Sequence, residues 1–392
     1  MIPVFFLSAG LILHHFLLFP ALLLLLGRQA RHDPVRQPQT DAELPTVSVM
    51  VTCCNEGELI RDKAVNLLAQ DYPSEKRQIV FAVDGAEYDV PTMLKEYLSG
   101  TDFKVVAFPA QRGKIHVLND AVSHCQGEIL VLTDVGARFA PDTLRQLAEA
   151  FTDPQVGGVC GAHQVERTTT NDASMGGAQS VYWRFDRLIK RAESRLGSIT
   201  ASDGPIYAIR RTLYTPIPEA VSDDSFQAMA IVRQGWRFVF APEAQAWIRP
   251  RSKSFGHEIT RRRRVVVRSL HGLWLSRELL NARRYGIYSL SLLSGKILRR
   301  VLPLLLITLL VSSAFLAPRG LVWSMVFGAQ ALCYLLALSK PAGLRLESKL
   351  IPKVSSVQDM AGYFLAGQIG TLLGLLDFLR GKRVDRWKPA SD

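Results

Sequence analysis

Five acidic positions and one lysine carry the chemistry this sequence can offer. Glu56 follows one apolar run, Asp84 ends a second in "QIVFAVDG", and Asp134 ends a third in "EILVLTDVGARF". An apolar run that stops in an acid is how a parallel-sheet strand delivers a carboxylate at its carboxyl edge. One such acid reads equally well as a surface residue or a helix N-cap. Three after successive runs point to a shared crevice, because the strand ends of one sheet converge there. A doublet, Asp223 and Asp224 in "VSDDSFQAMAIVRQG", stands just before a helical pattern. One aspartate satisfies a helix N-cap, which leaves the other to act as a general base on a hydroxyl. Lys114 follows Gly113 in "QRGKIHVLNDA" and opens a helix, a position that suits phosphate. "TDVG" holds one acid where Asp-x-Asp would bind a divalent metal, and Gly136 takes the second place. Mg²⁺ often uses only one or two carboxylates plus phosphates and water, so Asp134 alone can serve when a diphosphate supplies the rest.

The elements that must position these groups alternate. "TVSVMVTCC" reads as a strand, "ELIRDKAVNLLAQ" as a helix, and "QIVFAVDG" and "FKVVAFP" as strands. "KIHVLNDAVSHC" follows as a helix, "EILVLTD" as a strand, and "PDTLRQLAEAF" as a helix opened by Pro141. This order predicts an α/β, Rossmann-like, mostly parallel sheet with its ligands at the carboxyl ends of the strands.

Residues 4–26 contain no Lys, Arg, Asp or Glu and are long enough to span a bilayer. No positive charge precedes them and no small-residue cleavage site follows, so a retained anchor is expected. Arg28, Arg31 and Arg36 then place the next region in the cytoplasm. Residues 301–317 and 321–339 read as a hairpin of two spans around "APRG". Residues 357–379 are apolar and Gly-rich, but a fourth crossing would put the basic tail "RGKRVDRWKP" outside. That segment is therefore expected to be re-entrant or interfacial. The expected division is an anchor (1–27), a linker (28–45) and a catalytic α/β domain (46–250). Basic amphipathic interface helices (251–296), a transmembrane hairpin (297–339) and a C-terminal interfacial, re-entrant or transmembrane segment (340–392) complete it.

The net charge of +12 suits an anionic lipid surface, since the basic residues cluster beside the apolar blocks. No nucleic-acid-binding signature accompanies it. The five cysteines form no CxxC pair and read as reduced thiols. "TRRRRVVVRSLHGLWLSRELL" reads as an interfacial helix with one basic and one apolar face. His257 and His271 are expected at that surface, and Trp183 in the core.

In order and spacing these motifs resemble the membrane-bound family 2 glycosyltransferases of GT-A fold, which include polysaccharide synthases. "VSVMVTCCNE" is similar to the family's opening strand, "FAVDGA" to its nucleotide-binding aspartate, and "RGKIHVLNDAVSHCQGEILVLTD" to its Gly-Lys helix and Asp-x-Asp strand. "SDGPIYAIRR" resembles the acceptor-side glycine motif, and "VSDDSF" the acidic helix start whose last acid is the base. The resemblance implies that Thr52, Glu56 and Asp84 bind the base and ribose of a nucleotide-sugar, with Lys114 in the same donor site. It implies that Asp134 holds Mg²⁺ or Mn²⁺ on the diphosphate and that Asp224 deprotonates the acceptor. Asp203, Gly204 and Asp223 fall on the acceptor side. Transfer inverts the anomeric carbon in one displacement.

Three departures stand out. Cys54 occupies the place of a base-stacking tyrosine, Gly136 replaces an acid, and "EITRRRRVVVRSL" replaces Gln-x-x-Arg-Trp. One of Arg261, Arg262, Arg263 and Arg264 could take over neutralisation of the leaving diphosphate, or the run could serve the membrane surface. The implied protein lies in the inner (plasma) membrane with its catalytic domain cytoplasmic. It transfers sugar from a UDP-linked donor to a glycan or polyprenyl-linked acceptor, beside other envelope-polysaccharide proteins. The alternative is a catalytically degenerate scaffold of such a complex. A channel is disfavoured by spans nearly free of charge.

Overall fold

The protein is described from a computed structural model covering residues 1–30, 39–54, 56–85, 89–98, 100–165, 173–248, 254–339, 344 and 354–383. Asn55 of the opening motif, Arg31 and Arg36 of the linker, and the end of the basic tail lie outside the described residues.

An eight-stranded sheet forms the centre, with strands β1 (Val47–Cys53), β2 (Arg77–Asp84), β3 (Phe103–Phe108) and β4 (Ile129–Asp134) in its first half. The second half holds β5 (Ala137–Phe139), β6 (Val156–Val165), β7 (Tyr207–Arg210) and β8 (Arg237–Ile248). Their order across the sheet is β3-β2-β1-β4-β7-β6-β8-β5. β3, β2, β1 and β4 run parallel, β7 is antiparallel to both its neighbours, and β8 is parallel to β6.

β1 and β2 are buried along their whole length, as strands covered on both faces must be. Side chains alternate between two cores: Val49 and Val51 pack on one face with Ile60 and Leu67, while Met50 and Val80 pack on the other with Leu118. The register sets Thr52 against Asp134, and Cys53 against Val83. Three strands thus end side by side, and their last residues share one edge.

The helices that matter here are α1 (Ile2–Gln29), α2 (Gly57–Leu68), α3 (Val90–Leu98), α4 (Lys114–Ala121) and α5 (Thr143–Glu149). α6 (Ala173–Leu196), α7 (Asp223–Arg233), α8 (Phe255–Leu275), α9 (Ile287–Arg319), α10 (Leu321–Ser339) and α11 (Val354–Leu379) follow. α5 begins after Asp142 and not at Pro141, which precedes the first helical turn.

Among the described residues, four helices are long and apolar enough to cross a membrane: α1, α9, α10 and the Val357–Leu379 part of α11. α9 starts well before the expected boundary near residue 301. It carries Lys296, Arg299 and Arg300 in its first half, so this apolar helix is not charge-free. α11 is one unbroken helix. Its Gly370 and Gly374 abut α8, where an added Cβ would lie 2.7 Å from the Ile259 carbonyl oxygen and 2.8 Å from that of Arg263. Glycines four residues apart let two helix backbones approach closely.

The α/β domain rests directly on the first helix. Phe19 and Leu23 of α1 bury against Ala192 of α6, and a Cβ on Gly27 would come within 3.0 Å of Ala192.

Candidate active site at the carboxyl edge of the sheet

β2, β1 and β4 deliver Asp84, Thr52 with Glu56 just beyond, and Asp134 to the same edge. Lys114 ties that edge to α7: its ammonium lies 2.8 Å from Asp134 and 2.9 Å from Asp223. Burial works against the lysine's charge, and the two carboxylates overcome it, holding the ammonium protonated well above the usual range. Asp134 is the more open acid, with 38% of its side chain exposed against 10% for Asp223.

Asp84 is fully buried, and its carboxylate accepts the backbone N–H groups of Arg112 (2.6 Å) and Gly113 (2.8 Å). It fixes the loop that launches α4, and Gly113 at φ 97° makes the turn into Lys114. In this arrangement Asp84 positions the lysine. Glu56 is half-buried, and one of its oxygens accepts the Cys54 N–H at 3.3 Å. Burial raises its pKa above the usual carboxylate range; the Cys54 hydrogen bond opposes that rise and the Asp134 charge adds to it. Cys54 is buried, with Gln111 Nε2 at 3.5 Å from its sulfur, so it offers no surface for stacking on a base.

Asp224 follows Asp223 at the start of α7 and accepts the Ser222 hydroxyl at 2.6 Å. Burial and then the Asp223 charge push its pKa up, while Ser222, the Ser225 amide and Lys114 restrain it. A Cβ on Gly204 would sit 3.8 Å from Asp224 Oδ2, so this glycine keeps the approach to that oxygen open. Gly204 and Asp224 therefore come together.

Asp203, next to Gly204, is taken up by other partners: Lys190 (2.7 Å) and His163 (3.1 Å) both pair with it, and Asp186 takes Lys190 from the other side (2.9 Å). Despite its burial, those two neighbours hold the Asp203 carboxyl far below its ordinary range. Trp183 packs edge-on against His163, with 4.0 Å between ring centroids.

Arg261 and Arg262 both bind the fully buried Glu258 on their own helix, and Arg263 pairs with Asp377 of α11. Arg261 and Arg262 are thus paired within α8, and Arg263 braces α8 against α11. Arg268 donates to the Val221 carbonyl (2.8 Å), joining α8 to the loop before α7. His271 meets Phe378 and the Lys382 carbonyl, again at the α8–α11 contact.

Three groups near the edge had no signal in sequence. Lys63 of α2 is buried, donates to Thr133 Oγ1 (3.1 Å) and the Ala137 carbonyl, and lies 3.8 Å from the Phe139 ring centroid. It props the turn that carries Asp134 and Gly136, and burial lowers its pKa to about 7. Tyr207 of β7 is fully buried, with Asp223, Asp224 and Asp134 all acting on its phenol. Lys296 lies on α9 within the field of Asp224.

One open acid, a lysine between two carboxylates, and an acid beside an open glycine thus lie at the carboxyl edge of the sheet. The chain matches the family described as Glycosyltransferase like family 2 over residues 45–267. It belongs to that family.

It is 22% identical over 257 residues to the poly-beta-1,6-N-acetyl-D-glucosamine synthase of Staphylococcus aureus, covering 64% of this chain and 57% of the relative. It is 22% identical over 237 residues to the synthase of the same description from Staphylococcus epidermidis, covering 59% of this chain and 52% of that one. The chain thus spans little more than half the length of these curated relatives. The mannosyltransferase PcManGT of Pyrobaculum calidifontis, solved with GDP-Man and Mn²⁺, has a TM-score of 0.69 at 23% identity, over 97% of this chain and 100% of that one. The shared fold is GT-A.

Proposed function

We propose that the chain is an inverting glycosyltransferase moving a sugar from a nucleotide-sugar to a glycan or lipid-linked acceptor in cell-envelope or extracellular polysaccharide synthesis. The donor is uridine-linked on the motif resemblance. The observation that carries the reading is Lys114 bridging Asp134 and Asp223, with Asp224 next in sequence and facing Gly204.

Asp224 takes the proton of the acceptor hydroxyl, and that oxygen forms a bond to the anomeric carbon. The bond from this carbon to the diphosphate oxygen breaks on the opposite face, and its electron pair leaves with the nucleoside diphosphate. Lys114 supplies fixed positive charge beside the leaving group. Asp134 fits a hard cation completed by diphosphate and water. A divalent cation held there would neutralise the leaving diphosphate.

Calorimetric titration of UDP into the detergent-purified chain, with and without Mn²⁺, tests the donor site. The expected result is Mn²⁺-dependent binding that Asp134→Ala abolishes. Absence of binding by UDP, GDP and CDP alike would sink the reading and favour a scaffold.

The catalytic domain is placed on the cytoplasmic face of the plasma membrane, with α1, α9 and α10 crossing. On that topology α10 returns to the domain's side at Ser339. The start of α11 is tied there, Gln358 donating to Ser339 Oγ at 2.7 Å. Its other end is tied to α8 through Arg263 and Asp377. Both ends then lie on one side, so α11 rests in the interface and the basic tail stays cytoplasmic, as the positive-inside rule requires. A single-cysteine probe at Arg383 labelled only from the cytoplasmic side is expected; labelling from outside makes α11 a fourth span.

A further inference from the structure

Gly204 sits in a turn that the Ile206 N–H closes on the Asp203 carbonyl at 3.1 Å. Its φ lies outside the left-handed region, so backbone conformation does not call for a glycine there. Space does. A Cβ at this position would stand 3.8 Å from Asp224 Oδ2, in van der Waals contact with it. An acceptor hydroxyl has to reach that oxygen within hydrogen-bond range, roughly 2.6–3.2 Å. The turn is therefore a wall of the opening in front of Asp224, and its placement decides whether the opening admits an acceptor oxygen.

Buried groups pin the turn on both flanks. On one side the Asp203 carboxylate accepts Lys190 Nζ of α6 at 2.7 Å and lies 3.1 Å from His163 Nδ1 of β6. The Asp203 N–H donates to Cys160 Sγ at 3.3 Å. Lys190 and His163 are each only 3% exposed. Asp186, one turn earlier on α6, holds the same ammonium at 2.9 Å, and Trp183 packs edge-on against the imidazole. On the other side the Pro205 carbonyl accepts the Thr133 hydroxyl at 2.8 Å. Thr133 precedes Asp134 on β4 and is itself held by Lys63 at 3.1 Å. One short turn thus ties α6 and β6 to the strand that carries Asp134.

The two pins differ in kind. The Thr133 pin is an ordinary neutral hydrogen bond. The Lys190 pin takes an ammonium and a carboxylate out of water, and such pairs return little or no net stability compared with an apolar filling of the same volume. What the pair provides is a fixed geometry, because moving either group away leaves a buried charge uncompensated. The residue next to that fixed carboxylate is Gly204.

We infer that Lys190 and Asp203 are positioning residues for the transfer step, their ion pair holding the Gly204 turn back from Asp224 Oδ2 so that an acceptor oxygen can reach it. Neither side chain touches the reacting atoms, and His163 steadies the Asp203 carboxylate from the sheet side. The inference rests on the transferase reading above and extends its machinery to a pair outside the donor site.

The test uses the full chain in nanodiscs and three readouts. These are hydrogen exchange in peptides covering residues 201–208, calorimetric titration with UDP and Mn²⁺, and steady-state UDP release from UDP-glucose and UDP-N-acetylglucosamine. In the last, water takes the acceptor's place and yields free sugar and UDP. In Lys190→Met the Gly204 and Ile206 amides should exchange about tenfold faster, as a locally loosened turn does. UDP binding should be unchanged, since Lys114, Asp134 and Thr133 keep their contacts. The kcat for UDP release should fall roughly tenfold to a hundredfold with the donor KM unchanged, the cost of a small misplacement. Adding Asp203→Asn removes the uncompensated carboxylate, so the double variant should regain thermal stability while its kcat stays low.

Unaltered exchange or unaltered kcat in Lys190→Met would overturn the inference. So would parallel losses of UDP binding and kcat, or recovery of kcat together with stability in the double variant, since each makes the pair a matter of folding alone. Should Lys190→Met fail to fold, the double variant decides on the same readouts. A wild-type chain that binds no nucleotide or turns over neither donor counts against the transferase reading, and the exchange result then decides by itself whether Lys190 holds the turn.

Discussion

Two lysines, Lys114 of α4 and Lys296 of α9, are treated in opposite ways. On the sheet side, Lys114 lies between two carboxylates that the strand edge and α7 bring to it. On the membrane side, Lys296 is only 8% exposed, and among the described residues its ammonium has no hydrogen-bond partner. The first charge is balanced by the fold itself and serves to hold a preformed edge. The second has no hydrogen-bond partner among the described residues.

The largest expected effect tests whether Asp224 joins the two sides. Asp224→Asn should cut transfer by roughly 10²–10⁴-fold, the usual contribution of a general base, and leave nucleotide binding intact. Unchanged turnover would remove the catalytic reading of the whole edge. Next, Lys114→Met leaves Asp134 and Asp223 without the cation between them and should weaken UDP binding by roughly tenfold to a hundredfold. Lys296→Met should leave that titration alone, so equal losses in the two variants would erase the contrast.

The pH profile sharpens the same point. A base acts when deprotonated, and burial with Asp223 raises the pKa of Asp224, so the acid limb of the rate should lie above the ordinary aspartate range. Activity is lost as pH falls through that raised value. Asp223→Asn should shift the limb to lower pH, and an unmoved limb would assign it to another group.

At the membrane seam, Gly374→Leu drives a side chain into the Arg263 carbonyl and Val266, 2.8 Å from an ideal Cβ. It should cost about 1–3 kcal/mol in a thermal melt, as overpacking commonly does. The smallest effect is a gain. Gly136 has nothing within 4 Å of an added Cβ, so Gly136→Asp should fold normally and tighten Mn²⁺ binding in the presence of UDP by a few-fold.

Much of the strand edge was legible in sequence because its signals are local. An apolar run ending in an acid announces both the strand and the place its carboxylate emerges, and Asp84 and Asp134 are read that way, while the Asp223–Asp224 doublet is read from its place at a helix start. What each acid touches is not local. Asp84 spends its oxygens on the amides of Arg112 and Gly113, and Asp203 is claimed by Lys190 and His163. The arginine run announced its charge but not its partners, since Asp377 lies 114 residues from Arg263. Lys63 and Lys296 were invisible for a related reason. A lysine within a helical pattern looks solvated until tertiary packing covers it. The Gly370–Gly374 pair was readable, being a small-residue spacing within an apolar segment, and it marks where α11 meets α8.

The contact between Gly27 and Ala192 has a mechanical meaning. With 3.0 Å between an ideal Cβ and its neighbour, the first helix and α6 meet without a cushion of side chains. The first helix and α6 are therefore packed backbone to backbone at this point. Tilt is how a membrane helix answers a bilayer of the wrong thickness. In this protein such a tilt swings the sheet edge with it, turning acyl-chain length into a change of aim for the enzyme.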